Sequence, residues 1–570
     1  MYILEKLKLD IAEAINKKLG RDLVKPSHLV YPPDEKMGDL SLPCFDLTKI
    51  LRKNPAEIAK SLAEIKISGI KGMKAVGPYL NIFLDEKSLA KAIVTEIGKE
   101  KDKFGQKKRG KKRVMIEYSQ PNTHKEFHIG HLRNLSYGDS IVKILAANGN
   151  KSIPVSYIND FGIHVAKTIW WTYHKKNKRA EKMIKDKKID KGYFLGQMYA
   201  GATRRLEEFP EEKQEVGEVM KQIESRKGKY YELWEKTRKW SLDYFNLIYK
   251  NLDIQFAHTF YENDFVDKGK KMVEELTKKK VLVKSDGAVI ADLNEFSLGV
   301  LVFLRADGTA LYPVADLPLA IEKFKKFRLN SSIYVVDIRQ GLYFKQLFKV
   351  LEILGYKQEM VHLGYDFVRL PSGMMSSRTG NVVTFTELYQ ELKTRVGKET
   401  KNRHPEWSTK RIGEVVLKLV AATIKFEMLK VGARQVITFD METALRFDGF
   451  TAAYLEYTYA RINSISKKAK KQENKKANFE LLSENKEHGL ILALAKFGEA
   501  VERAGENYDP SEIAKYLFNL AQTFNDYYHS VPVLKAEEKT RNARLALIAA
   551  VNRVLKNGLG LLGIETVREM

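Results

Sequence analysis

The chain has 570 residues, 44% hydrophobic and 30% charged, with 98 Lys and Arg against 72 Asp and Glu for a net charge of +26. That length supports three or four domains, and a single cysteine, Cys44, excludes an internal disulfide and a cysteine-cluster zinc site. The start, "MYILEKLKLD", lacks the basic-then-apolar layout of a signal peptide and no run of 18 apolar residues occurs, so a soluble, cytoplasmic chain that does not engage a membrane is expected.

Residues 1–100 predict a small α+β domain. "YILEKLKLDIAEAINKKL" has the period of an amphipathic helix, and "GMKAVGPYLNIFLD" reads as strand, turn and strand. The charged run "GKEKDKFGQKKRGKKR" (98–113) is a solvated linker or a segment lying along phosphates, and the basic excess of the whole chain favours a polyanionic partner. Strands and helices then alternate over 101–395, which argues for a mostly parallel sheet, with a helical, Lys-rich insertion at about 165–250. Residues 396–570 read as almost wholly helical, a bundle with an exposed loop at "SKKAKKQENKKANFE" (466–480).

The chemistry concentrates at "THKEFHIGHLRN" (123–134), which holds three of the 11 histidines. "KRVMIEYS" (112–119) before it reads as a strand, and a helix follows with Leu132, Leu135, Ile141, Ile144 and Leu145 on one face, ending near Gly149. "KSIPVSYI" (151–158) is the next strand, so His128 and His131 fall at a helix N-terminus inside a βαβ unit, where backbone N–H groups favour anions. Three readings compete. His124, His128 and His131 could share a helix face and hold a metal, but no cysteine adjoins them and Lys125 would repel a cation. Each could be a satisfied structural histidine. Or His128 and His131 donate to phosphate oxygens, with Gly130 leaving room for a flat base; the strand-to-helix junction favours this third reading.

A second signal is "RLPSGMMSSRTGNVVTF" (369–385), after the strand-like "VHLGYDFV" (361–368). It is a surface hairpin, or a mobile loop whose hydroxyls, N–H groups and Arg378 close over a triphosphate.

H-I-G-H after a strand, with the distant M-S-S-R-T-G-N, resembles the two signatures of class I aminoacyl-tRNA synthetases. "YSQPNTHKEFHIGHLRN" (118–134), "GTALYPVADLPLA" (308–320), "VVDIRQGLYFKQL" (335–347), "RFDGFTAAYLEYTYARI" (446–462), "YYHSVPVL" (527–534) and the terminal "LGIETVREM" are similar to the arginyl-tRNA synthetase family, from end to end. Departures are Ser377 where class I loops usually carry lysine, Tyr261-Glu262-Asn263 for Gly-Glu-Ser, Val314-Ala315 for Thr-Arg, and Tyr343 for a frequent histidine.

The resemblance implies a Rossmann-like catalytic domain between an N-terminal tRNA-binding domain and a C-terminal helical anticodon-binding domain. It implies ATP with Mg²⁺, L-arginine and tRNA-Arg as ligands, no structural zinc, a monomer, and a need for tRNA even in adenylate formation. His128, Gly130, His131, Met375 and Ser376 would bind ATP, with Lys125, His128, His131, Ser376, Ser377 and Arg378 stabilising the transferring phosphates. Tyr312, Asp316 and Glu262 would face the guanidinium, Glu262 having the α-amino group as its alternative, and Asn122, His128 and Gln340 would hold the amino-acid end. Asp316 also stands just before a helix that Pro318 can start at its first position. Tyr454, Tyr457, Tyr459, Arg461, Tyr527 and Tyr528 are suited to stacking on unpaired bases, with Tyr528 and the chain end at Met570 the preferred contacts, although most aromatics at helical spacing pack the core. The rivals are a class I synthetase for another amino acid and a synthetase-like RNA-binding protein without catalysis.

Overall fold

The computed structural model describes residues 2–186, 189–371, 383–469 and 477–570. Near the N-terminus, helix Ile3–Leu19 precedes an antiparallel sheet with Tyr79–Leu84 between Leu40–Pro43 and Ile70–Val76. Its hairpin turns at Gly77, whose φ of +57° suits a residue without Cβ. Helix Glu86–Glu100 carries the chain onward after an N-cap by Asp85, which accepts from Ser88 N–H.

The middle of the chain builds a five-stranded, all-parallel sheet in the order 359–365, 331–337, 113–117, 151–158, 258–261. Buried Val114, Ile116, Val155, Ile333 and Val335 line its middle, the apolar loading a parallel sheet covered on both faces requires. The chain leaves 113–117 toward one edge, through 151–158 to 258–261, and returns to the other side with 331–337. Strand order therefore reverses beside 113–117, and in open α/β sheets ligands enter the crevice at such a point, beyond the strands' carboxyl ends.

Helices Ile163–Thr172, Lys178–Lys185, Lys191–Glu208, Lys213–Glu224 and Lys229–Asn251 fill the interval between strands 151–158 and 258–261. A small antiparallel sheet, Val283–Ser285, Ala288–Asp292 and Val300–Leu304, interrupts the expected alternation. Its first strand is short and exposed, so it carries no hydrophobic period to betray it. The following helix starts at Pro313, not Pro318, which lies inside Pro313–Phe327. Pro318 cannot donate to the carbonyl of Val314, and that oxygen rests instead on the bare Cα of Gly269, where a Cβ would come within 1.7 Å.

After strand 359–365 the described chain is helical apart from a two-residue pairing of Val368–Arg369 with Ile437–Thr438. Helix Thr409–Leu429 packs on Ile129–Ala147, and helices Ala452–Ala469, Asn485–Ala495, Phe497–Glu506, Ser511–Ser530 and Glu538–Leu561 complete the bundle. No helix among the described residues is long and apolar enough to cross a membrane.

The junction between sheet and bundle is polar at its centre. Arg133 is buried, and its guanidinium donates to the carbonyls of Gln435 (2.7 Å), Ala433 (2.7 Å), Gly432 (3.1 Å) and Phe367 (3.4 Å). Burial pulls its pKa down to about 10, which still leaves it charged. Arg133→Met would leave the Gln435 carbonyl without a donor, an unsatisfied group costing roughly 1–3 kcal/mol, while Ala433, Gly432 and Phe367 keep the backbone N–H groups of Asp366, Gln435 and Ile437. The variant should lose about 1–3 kcal/mol and melt a few degrees lower by calorimetry; an unchanged melting profile would make the junction tolerant of the loss.

Candidate active site

His128 is the N-cap of helix Ile129–Ala147. Its Nδ1 accepts from Gly130 N–H (3.2 Å), and its own backbone N–H donates to His131 Nδ1 (3.1 Å). With Nδ1 of each ring accepting, a neutral imidazole carries its proton on Nε2, so both rings keep one outward donor. The rings lie 3.8 Å apart, centroid to centroid. Burial, then the neighbouring Lys125 ammonium, brings His128 down to about 4; burial, His128 and Lys125 hold His131 well below the ordinary histidine value. Both are uncharged near pH 7. A Cβ on Gly130 would sit 3.0 Å from His128 Cε1, so glycine here makes space for the capping ring itself.

His124 does not join them. It takes φ +64° and turns its ring inward, with Nδ1 3.0 Å from Thr123 Oγ1 and Nε2 2.8 Å from Thr237 Oγ1. Burial lowers it to about 3, so it is a satisfied core histidine. The shared histidine face imagined for a metal is absent, and no group of three metal-ligating side chains occurs among the described residues.

Beyond the carboxyl ends of strands 113–117, 151–158 and 331–337 opens a cavity of about 460 Å³. Its floor holds a buried ion pair, Lys323 to Glu117, the ammonium lying under the rings of Tyr334 (5.1 Å), Phe260 (5.5 Å) and Tyr157 (5.7 Å). Asp316, in the first turn of helix Pro313–Phe327, accepts from Tyr343 Oη. Burial above all raises it to about 6, against the pull of that hydrogen bond. Glu262 begins the short turn after strand 258–261; burial, then Asp316 and Asp160, raise it to about 8. Asp160 secures that turn, accepting from Asn263 N–H (3.0 Å) and Arg238 Nε (2.5 Å). Tyr312 stands at the cavity mouth, 65% exposed. Asn122, bridged to Asn159, and Gln340, at the end of Ile338–Gln340, complete the rim. Asp316 thus lines an aromatic-walled space with Glu262 within its electrostatic reach, while the cation on the floor is committed to Glu117. The space suits a cationic guest with several N–H donors.

The family model "tRNA synthetases class I (R), catalytic domain" matches residues 93–436, "Arginyl tRNA synthetase N terminal domain" matches 5–84, and "DALR anticodon binding domain" matches 455–570. The chain is 38% identical over 556 residues to the arginine–tRNA ligase of Bdellovibrio bacteriovorus, covering 95% of this chain and 94% of that one. With the arginine–tRNA ligase of Clostridium acetobutylicum it shares 33% identity over 566 residues, 98% and 99% of the two chains. The chain belongs to the arginyl-tRNA synthetase family. It is a class I aminoacyl-tRNA synthetase, an arginine–tRNA ligase acting in translation. Thermus thermophilus arginyl-tRNA synthetase superposes with a TM-score of 0.83 at 26% identity over the whole of both chains. That of Plasmodium falciparum gives 0.80 at 20% identity, covering 100% of this chain and 99% of that one, a likeness of fold.

Against that family's signatures the geometry divides the expected residues. His128, Gly130 and His131 sit together at the helix N-terminus, and Asn122, Tyr312, Asp316 and Gln340 line the cavity, with Glu262 in electrostatic contact with Asp316. Lys125 lies over the ring of Tyr199, 4.8 Å from its centroid. Met375, Ser376, Ser377 and Arg378 lie outside the described residues. Glu117, Lys323, Tyr157 and Tyr334 were not anticipated; an acid within the apolar strand "RVMIE" was the one visible sign.

In the helical region Asn525 gathers three of the expected residues. It donates to Tyr454 Oη (2.8 Å) and accepts from Arg461 (3.2 Å), whose guanidinium lies over Tyr528 (4.8 Å). Tyr457, 39% exposed, meets Phe447, and Met570 enters the same apolar pocket as Phe447. Tyr459 and Tyr527 are buried in the bundle.

The raised pKa of Glu262 has a sign for stability. The folded state holds this proton more tightly than the unfolded chain, so ionisation destabilises the fold as pH rises from about 4.5 through about 8. Glu262→Gln should therefore be more stable than the parent at pH 9 by on the order of 2 kcal/mol or more, and equal to it below pH 4.5. Thermal denaturation at the two pH values checks this; the same difference at both would assign it to packing.

Proposed function

We propose that the cavity binds L-arginine with its guanidinium toward Asp316 and Glu262 and its carboxylate toward the N-terminus of helix Ile129–Ala147. The observation that carries this reading is a buried carboxyl group, Asp316, in an aromatic-walled cavity with a second, Glu262, in electrostatic contact with it, the two raised to about 6 and 8. A planar guanidinium offers five donors and relieves the carboxylate repulsion, so binding expels protons and favours both ionised forms. Tyr312 covers the guanidinium at the mouth, while Asn122 and Gln340 hold the α-amino and carboxylate end.

ATP, taken as its Mg²⁺ complex, places its phosphates against His128, His131 and the N–H groups around Gly130, with Lys125 and the 375–378 segment as further partners. The arginine carboxylate oxygen attacks the α-phosphorus, the bond to the bridging oxygen breaks, and pyrophosphate leaves. The terminal ribose hydroxyl of tRNA-Arg, by class I habit the 2′-OH, then attacks the acyl carbon and AMP departs. Neither step uses a protein nucleophile; orientation and charge neutralisation lower the barrier. Residues 101–395 carry this chemistry, residues 1–100 grip the tRNA elbow, and residues 396–570 meet the anticodon through Tyr454, Tyr457, Arg461, Tyr528 and Met570. The enzyme works as a cytoplasmic monomer.

Aminoacylation of unfractionated tRNA tests the reading directly: arginine alone among the twenty amino acids should be charged. Asp316→Asn keeps the shape and removes a charge partner, a loss worth about 2–5 kcal/mol when the other charge stays buried. The arginine KM should rise at least ~30-fold with the ATP KM unchanged; an unaltered arginine KM would remove Asp316 from the guanidinium site. Lys125→Ala should lower kcat for adenylate formation by about 10²–10³ without changing the arginine KM. Normal adenylate formation would make Lys125 a bystander.

A further inference from the structure

Helix Lys191–Glu208 presses on the loop that carries the catalytic histidines. Gly196 makes this approach possible: a Cβ there would come within 2.0 Å of Glu126 Cγ and 2.9 Å of the Glu126 backbone nitrogen. Gln197 adds a hydrogen bond to the Glu126 carboxylate. One turn further, Tyr199 shares the face of Gly196 and receives two ammonium groups, Lys125 at 4.8 Å and Lys167 at 4.1 Å from its ring centroid. Lys167, on helix Ile163–Thr172, also donates to Thr203 Oγ1 at 2.8 Å.

Like charges brought to one ring repel, and a fold does not gather them without compensation. Among the described residues neither lysine forms an ion pair with a carboxylate. The compensation present is weak: the π face and hydroxyl of Tyr199. Burial pushes that hydroxyl up, yet Lys125 and Lys167 outweigh it and lower it. A second observation lies alongside. His164, held neutral by burial first and then by Lys125 and other neighbours, leaves Nε2 buried with no partner. Two ammonium groups and an unused imidazole nitrogen therefore converge next to the His128 end of the helix.

We propose that Lys125, Lys167 and Tyr199 form a phosphate clamp in which the helical insertion supplies the second cation and Tyr199 holds both lysines ready, with His164 as a further hydrogen-bonding group. The clamp rests on the reading of Lys125 given above and adds Lys167 and Tyr199 to it. Phosphate reaches this place from two sources, the triphosphate of ATP and the terminal phosphodiesters of tRNA, and the chemistry recognised is the same. Tyr199 is a positioning residue: it orders the ammonium groups before the anion arrives.

Lys167→Ala, Lys167→Arg and Tyr199→Phe, each verified as folded by thermal denaturation, separate the cases. With the full-length enzyme, pyrophosphate exchange at saturating tRNA measures the ATP KM, and aminoacylation measures the tRNA KM and its salt dependence. Lys167→Ala should raise one of these constants at least ~10-fold, leave the arginine KM unchanged, and be largely rescued by Lys167→Arg. A raised ATP KM assigns the clamp to the triphosphate. A raised tRNA KM with a salt slope shallower by about one assigns it to tRNA. Tyr199→Phe, which keeps the ring and removes the hydroxyl, should move the same constant by a smaller factor. Unchanged ATP and tRNA constants in Lys167→Ala, or no rescue by arginine, overturns the clamp. If Lys125→Ala is impaired while Lys167→Ala is normal, the role of Lys125 stands and only the clamp falls.

Discussion

The molecule depends on helix Ile129–Ala147 being buried almost all round while carrying polar groups that each demand a partner. Asn134 ties the loop after strand 113–117 to strand 331–337 at the switch point, accepting from Ser119 N–H and donating to Val335 O and Gln120 Oε1. Arg133 reaches four carbonyls of the junction with the bundle. Asp139 pairs with Lys425, whose ammonium also donates to Gly563 O, and Ser140 donates to Leu561 O. Sheet, bundle and C-terminal segment are thus tied to one helix, and the capped end of that helix presents His128 and His131. Because an unmade buried hydrogen bond costs more than a made one contributes, these contacts define position more than they add stability.

Charge is handled in two opposite ways within the same cavity. Glu117 and Lys323 are paired under aromatic rings, the arrangement that makes a buried charge tolerable. Asp316 and Glu262 are buried with no ion pair among the described residues, and burial above all raises both, with Asp316 adding to the rise at Glu262. Such uncompensated acids lower stability above neutral pH, and in the proposed reading a bound cation relieves them. The same contrast recurs in reverse at Tyr199, where two cations lack a carboxylate.

Much of this was legible in the chain. Strict strand and helix periods around "HIGH" placed His128 and His131 at a helix start, and the hairpin at residues 70–84 followed from its turn. Other features were hidden because their cause is not local. Pro318 lies inside a helix since Gly269 shelters the carbonyl it strands. His124 belongs to the core because Thr237, more than a hundred residues later, closes on its ring. Lys323 looks like any lysine of "IEKFKK" until the fold turns it toward Glu117.

By itself, the sequence determined the three-part organisation, the parallel sheet, the location of the histidine pair and the family, since periodicity and contiguous motifs are encoded over short spans. Only the tertiary structure decided which acids share the cavity, which lysines are neutralised and which histidine is inert. Those properties depend on burial and on distances between segments far apart in the chain, and a residue's charge state follows from its neighbours in space.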